Sequence, residues 1–94
     1  MIALDTNVLV YAHRREAPEH AVARDLVRGL AEGIQPWAIP WPCVYEFFGV
    51  VTNVRIWKEA ASTPSDAWAQ IDAWLAAPTV HLLAEPVGFG AVLA

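Results

Sequence analysis

Apolar residues along this chain fall into short unbroken runs, separated by longer stretches in which they recur every three or four positions. The runs are Met1-Ile2-Ala3-Leu4, Trp37-Ala38-Ile39-Pro40 and Thr79 to Ala84, the last broken only by His81. Runs this short, bounded by turn residues, read as buried strands. After the first, Val8, Leu9 and Tyr11 suggest a helix that Asn7 can cap. Ala17-Pro18-Glu19 opens a second helix, with Val22, Leu26, Val27 and Leu30 at helical spacing and Gly33 at its close. A third is expected from Pro42 to about Asn53, where Val44, Phe47, Phe48, Val51 and Val54 gather on one side. Thr63-Pro64-Ser65-Asp66 has the form of a capped start for a fourth, whose apolar face is Trp68, Ile71, Trp74 and Leu75 and which Pro78 stops. Strands separated by helices predict an α/β fold, a parallel sheet with helices packed on it. Pro86 to Ala94 begins a further helix that Gly88 and Gly90 weaken. The expectation is one domain over 1–94, incomplete at the C-terminus, with the closing strands of the sheet missing.

Composition narrows the classes. A single domain of 94 residues buries only roughly 60–65% of its unfolded surface, so a hydrophobic content of 56% with five Trp and three Phe exceeds what one small core can hide. An exposed apolar patch is expected, covered by a partner, by a second copy or by further chain. The formal net charge of −4 argues against non-specific polyanion binding by the whole surface, so any contact with nucleic acid has to be local or metal-mediated. The one cysteine, Cys43, excludes an internal disulfide and a Cys-rich zinc motif, which suits a reducing cytoplasmic setting. No apolar stretch approaches the ~18 residues of a membrane span.

Two acids stand at informative places. Asp5 directly follows the first strand, and in an open parallel sheet ligands bind just beyond the carboxyl ends of strands. The competing reading of Asp5 is a helix cap. Glu46 lies on the third helix opposite its apolar side, sharing a face with Gly49 and Asn53, which leaves room for a ligand. The competing reading there is a solvated glutamate on an amphipathic helix. Both acids follow strands, so both can face one edge of the sheet.

These blocks resemble the PIN-domain ribonucleases, in particular the VapC toxins of toxin–antitoxin pairs. Ile2 to Ala12, with Asp5-Thr6-Asn7 after the strand, is similar to the family's first motif. Pro42-Cys43-Val44-Tyr45-Glu46-Phe47 is similar to its second, and Val80-His81-Leu82-Leu83-Ala84-Glu85-Pro86 to the strand and turn that come next. The resemblance implies a PIN-like three-layer fold with a central parallel sheet, and four acids holding Mg²⁺ or Mn²⁺. Asp5 and Glu46 match the first two; the family's later aspartates have no counterpart within these residues. It further implies RNA as substrate, a cognate antitoxin protein as partner and a homodimer. By local chemistry Thr6 or Asn7 can orient a carboxylate or a metal-bound water, against the equal reading that each serves the turn alone.

The chemistry agrees with clustered acids. Two bare carboxylates ~4 Å apart repel by about 4 kcal/mol at an effective dielectric of 20, so a dense acidic site needs a cation. Hard oxygen ligands select Mg²⁺ or Mn²⁺. Such a cation supports phosphodiester hydrolysis without a protein nucleophile and lets an acidic chain hold RNA. Asp66, Asp72 and Glu85 suit a helix start, a helix face and a turn. Arg14 and Arg15 are candidates for substrate phosphates, against the reading of solvated surface arginines. His13, His20 and His81 lack metal-ligand spacing, and Cys43 reads as a small core thiol. The alternative function is a non-catalytic PIN-fold interaction module that presents its Trp-rich surface to a protein partner.

Overall fold

The computed structural model describes residues 1–84. Three parallel strands, β1 (Ile2–Ala3), β2 (Trp37–Pro40) and β3 (Val80–Leu83), form one sheet in the order β1-β2-β3. Ile2 lies opposite Trp37, and Trp37 opposite Val80. Around the sheet stand helices α1 (Thr6–His13), α2 (His20–Glu32), α3 (Trp41–Val51), the single turn α4 (Val54–Trp57) and α5 (Pro64–Leu75). The α/β architecture expected from the alternating pattern is the one observed. The segment from Glu85 to Ala94, with its expected helix and the turn at Glu85-Pro86, lies outside the described residues.

β2 is central, and its composition fits that place. Trp37, Ala38 and Ile39 are all buried, as both faces of a middle parallel strand require. Trp37 carries a polar edge into this setting and satisfies it: its Nε1–H donates to Thr79 Oγ1 at 3.0 Å, and the Thr79 hydroxyl donates on to Leu30 O at 3.1 Å. One side chain thus ties the sheet to the end of α2. Phe47 of α3 fills the next layer, edge-on to Trp74 of α5 and to His13 of α1, with ring centroids 4.9 and 5.3 Å away.

The helix ends show where local chemistry overrode periodicity. Asp5, not Asn7, caps α1: its Oδ1 accepts from Val8 N–H at 3.0 Å while its backbone stays extended. Residues 14–19 form consecutive turns, with Ala17 N–H donating to Arg14 O and His20 N–H to Ala17 O, so α2 starts at His20 rather than at Ala17. Its buried residues are Ala23 and Val27, whereas Val22 and Leu26 are exposed. α3 stops at Val51, short of Asn53, because the Asn53 side chain accepts from Arg55 N–H and starts α4 instead. Val54 therefore leaves the apolar side expected of it and is exposed. At α5 the expected cap holds, Thr63 Oγ1 accepting from Asp66 N–H at 3.0 Å.

The arginine pair divides. Arg14 is neither solvated nor available to a substrate: it is 5% exposed, lies over the Trp57 ring at 4.0 Å, donates to Ser62 Oγ and pairs with Glu16. Hydrogen bonding from its own backbone, reinforced by Arg14, holds the Glu16 carboxyl below the usual range. Arg15 is exposed. Of the tryptophans, Trp37 and Trp74 are buried and Trp41 and Trp57 half-buried, while Trp68 remains exposed with Tyr45, Ile34 and Ile56. The aromatic excess is thus partly absorbed by the core and partly left at the surface. No helix among the described residues is long and apolar enough to cross a membrane.

Candidate active site

Parallel pairing carries β1 to its end beside β2, Leu4 N–H donating to Ala38 O at 3.0 Å, and the next residue is Asp5. The chain turns directly into α1, so Asp5, Thr6 and Asn7 sit at the carboxyl edge of the sheet, where open α/β folds hold ligands. β2 delivers α3 to the same edge. Cys43, Gly49 and Val50 stand three or four residues from Glu46 on α3, and with Asn53 just past the helix end and Asp5, Thr6 and Asn7 they line a single open cleft. Both predicted acids and both predicted supporting residues therefore line one space.

The cleft is organised by one hydrogen bond. Thr6 Oγ1 donates to Glu46 Oε1 at 2.7 Å, linking the first turn of α1 to the middle of α3 across 40 positions of sequence. Asp5 uses Oδ1 to cap α1, which leaves Oδ2 without a hydrogen-bond partner among the described residues. The two readings of Asp5 are compatible: one oxygen caps the helix and fixes the carboxylate, and the residue also lines the cleft. Glu46 likewise spends one oxygen on Thr6 and keeps the other. Asn7 is exposed at the cleft and makes no recorded side-chain bond.

The donor set fits a hard divalent cation. Among the described residues no arginine or lysine lines the cleft to neutralise the two carboxylates, and Thr6, Asn7 and Asn53 share its lining. Mg²⁺ is typically held by one or two carboxylates and keeps several waters, so two acids suffice for a partial cage. Among the described residues no group of three or more His, Cys, Asp or Glu side chains is close enough to form a complete one. Asp66 and Asp72 lie on α5, away from the cleft lining, as their sequence context suggested. A Cβ added to Gly49 would meet nothing within 4 Å, so the cleft wall is open beside Glu46.

Two lining residues escaped the sequence reading. Cys43 packs half-buried against the core, as a small core thiol would, and also lines the cleft wall, and Val50 forms the wall one turn further on. Both stand at three and four positions from Glu46, so helical spacing alone contained the signal. The histidines are not ligands of this site: His13 bonds Ser62 and Gln70, His20 bonds Tyr11 O, and His81 is exposed on β3.

No family profile matches the chain. Curated relatives do. It is 47% identical over 83 residues, 88% of its length, to VapC ribonuclease Mb2897 of Mycobacterium bovis and to ribonuclease VapC43 of Mycobacterium tuberculosis, covering 56% of each. Ribonuclease VapC31 of M. tuberculosis is 35% identical over 86 residues, 92% of this chain and 59% of that protein. The chain thus spans a little more than half the length of the curated relatives it matches.

Proposed function

The chain is a partial-length homologue of the VapC ribonucleases, and from that kinship we propose that it carries the first two acids of a metal-dependent endoribonuclease site. The observation that supports this reading is the convergence of Asp5 and Glu46 on one cleft, with Thr6 bonded to Glu46 Oε1 at 2.7 Å. Asp5 and Glu46 are the residues that would hold Mg²⁺ or Mn²⁺. When bound, such an ion supplies an acidified water and a counter-charge for the phosphate. Asp5 would offer the oxygen left free by the cap, its rotation restrained by the bond from Val8 N–H to Oδ1. Glu46 would offer the oxygen not bonded to Thr6, which is a positioning residue. Asn7 stands at the mouth of the cleft, where its amide can meet a polar group of the substrate. The open wall at Gly49 admits a polymer rather than enclosing a small molecule.

RNA is the proposed substrate, the setting is the cytoplasm, and the activity is that of a toxin held in check by a cognate antitoxin. The exposed apolar residues, Val22, Leu26, Tyr45 and Trp68 among them, supply surface for that protein and for a homodimer. The interaction-module alternative is less well supported, because the relatives are named ribonucleases and the acids converge. The test is cleavage of single-stranded and structured RNA by the purified chain. Cleavage should require Mg²⁺ or Mn²⁺, stop on chelation and return on re-addition. Absence of cleavage with either ion, or cleavage undiminished by chelation, contradicts the proposal.

A further inference from the structure

At the opposite end of α1 from the active-site cleft lies a second cavity of about 630 Å³, lined by Ala12, His13, Arg15, His20, Arg24 and Gln70. A smaller one adjoins it, sharing Ala12, Arg24 and Gln70 and adding Arg28. The chain has only six Lys and Arg in all, against ten acids, yet three exposed arginines gather on this one groove and, among the described residues, no carboxylate lines either cavity. In a protein of net charge −4 this is a local reversal of sign.

The hydrogen bonds at the floor leave donors toward the cavity. Gln70 Oε1 lies 3.1 Å from His13 Nδ1, and an amide oxygen only accepts, so Nδ1 carries the proton. His13 Nε2 then accepts from the Ser62 hydroxyl at 2.8 Å, while Ser62 Oγ accepts from Arg14. His13 is spent in this chain, and the NH₂ of Gln70 stays free of it. His20 Nδ1–H donates to Tyr11 O at 2.9 Å, which holds the ring and leaves Nε2 unbonded. Arg24 gives Nε to Asp25 at 3.1 Å and retains its two terminal nitrogens. Arg15 makes no side-chain hydrogen bond among the described residues.

We propose that this cavity binds a backbone phosphate of the RNA, apart from the phosphate at the cleavage site. The inference rests on the ribonuclease reading and extends it to a second contact. Guanidinium groups match phosphate oxygens in paired, planar geometry, and a cavity lined by two of them with an amide and an imidazole is built for an oxyanion. A docking peptide would need an apolar anchor, and among the described residues Ala12 is the one apolar side chain lining the larger cavity, while Val27 and Trp74, which line the smaller one, are buried in the core. The eight residues of α1 separate the cleft from the cavity by about 12 Å along the helix, a distance that a few nucleotides of one strand can cover.

The test separates binding from cleavage. Binding of a fluorescent single-stranded RNA to the full chain is measured with chelator present, over a range of salt, for wild type and for Arg15→Gln/Arg24→Gln. The double variant should bind at least about fivefold more weakly, with a salt slope lower by about 1.4, at roughly 0.7 for each lost contact. Arg15→Lys/Arg24→Lys should recover most of the slope. In amide spectra, RNA should shift Arg15, His20, Arg24 and Gln70 as well as the cleft. Unchanged affinity and slope in the double variant, or RNA shifts confined to the cleft, overturn the proposal. Inorganic phosphate that shifts the cavity where RNA does not overturns it too, since the site would then serve a free oxyanion. RNA bound through the cavity but left uncut with Mn²⁺ supports the pocket while refuting the nuclease reading.

Discussion

Glu46→Gln should lower metal-dependent RNA cleavage by at least about 100-fold while leaving the fold intact, an effect of the size seen when one electrostatic group is removed from a catalytic site. The substitution is nearly isosteric. The amide oxygen of Gln can still accept from Thr6, so the link between α1 and α3 survives, and only the negative charge is lost. Glu46 is exposed, and exposed substitutions away from special features change stability by less than about 0.5 kcal/mol. Thr6→Val provides the complementary case: the carboxylate keeps its charge but loses its orienting donor, with an expected loss of about 10- to 100-fold that Thr6→Ser restores. Cleavage rates at saturating Mn²⁺, read beside circular dichroism spectra, check both. Full activity of Glu46→Gln would remove Glu46 from the site.

Trp37→Ala carries the largest expected cost to stability. The side chain is fully buried in the middle strand and links β2 through Thr79 to the end of α2. Truncating a buried Trp costs about 3–5 kcal/mol. Domains of this size hold in total about 0.05–0.15 kcal/mol per residue, so the variant should be close to unfolding. At about 4 °C or more per kcal/mol, the melting temperature should fall by at least about 12 °C. Trp37→Phe keeps most of the packing and loses the Nε1–H donor, with a cost nearer 1 kcal/mol because Thr79 still bonds Leu30 O. A drop of under about 2 °C for Trp37→Ala in thermal unfolding would show that the core does not centre on β2.

The strands were legible in the sequence because each is a short run of apolar residues: Trp37–Pro40 appears with the expected bounds, and the outer two differ by a residue or two. The start of α5 was legible because cap chemistry is local, a hydroxyl, a proline and an acid in a fixed order. The α2 face was half legible: Val27 and Leu30 pack on the core as their spacing suggested, but periodicity does not say how far the apolar stripe turns inward, and Ala23 is buried while Val22 and Leu26 are exposed. α4 was invisible since a single turn has no period to detect. Arg14 defied its type because burial was compensated by Trp57, Ser62 and Glu16, partners distant in sequence or masked by a turn. In the candidate site, Asp5 and Glu46 were recognisable singly, but their pairing depends on β1 and β2 lying side by side, which spacing along one strand or helix does not encode. Thr6 or Asn7 could orient a carboxylate or a metal-bound water or serve the turn alone; the fold bonds Thr6 to the carboxylate of Glu46.

The most direct test of the central claim, that Asp5 and Glu46 together hold a divalent cation, is paramagnetic broadening of amide signals by substoichiometric Mn²⁺. The account predicts selective loss of the signals of Asp5, Thr6, Asn7, Glu46 and their cleft neighbours, reversed by excess Mg²⁺ and abolished in Asp5→Asn/Glu46→Gln. Broadening centred elsewhere on the chain, or the same broadening in the double variant, would contradict it.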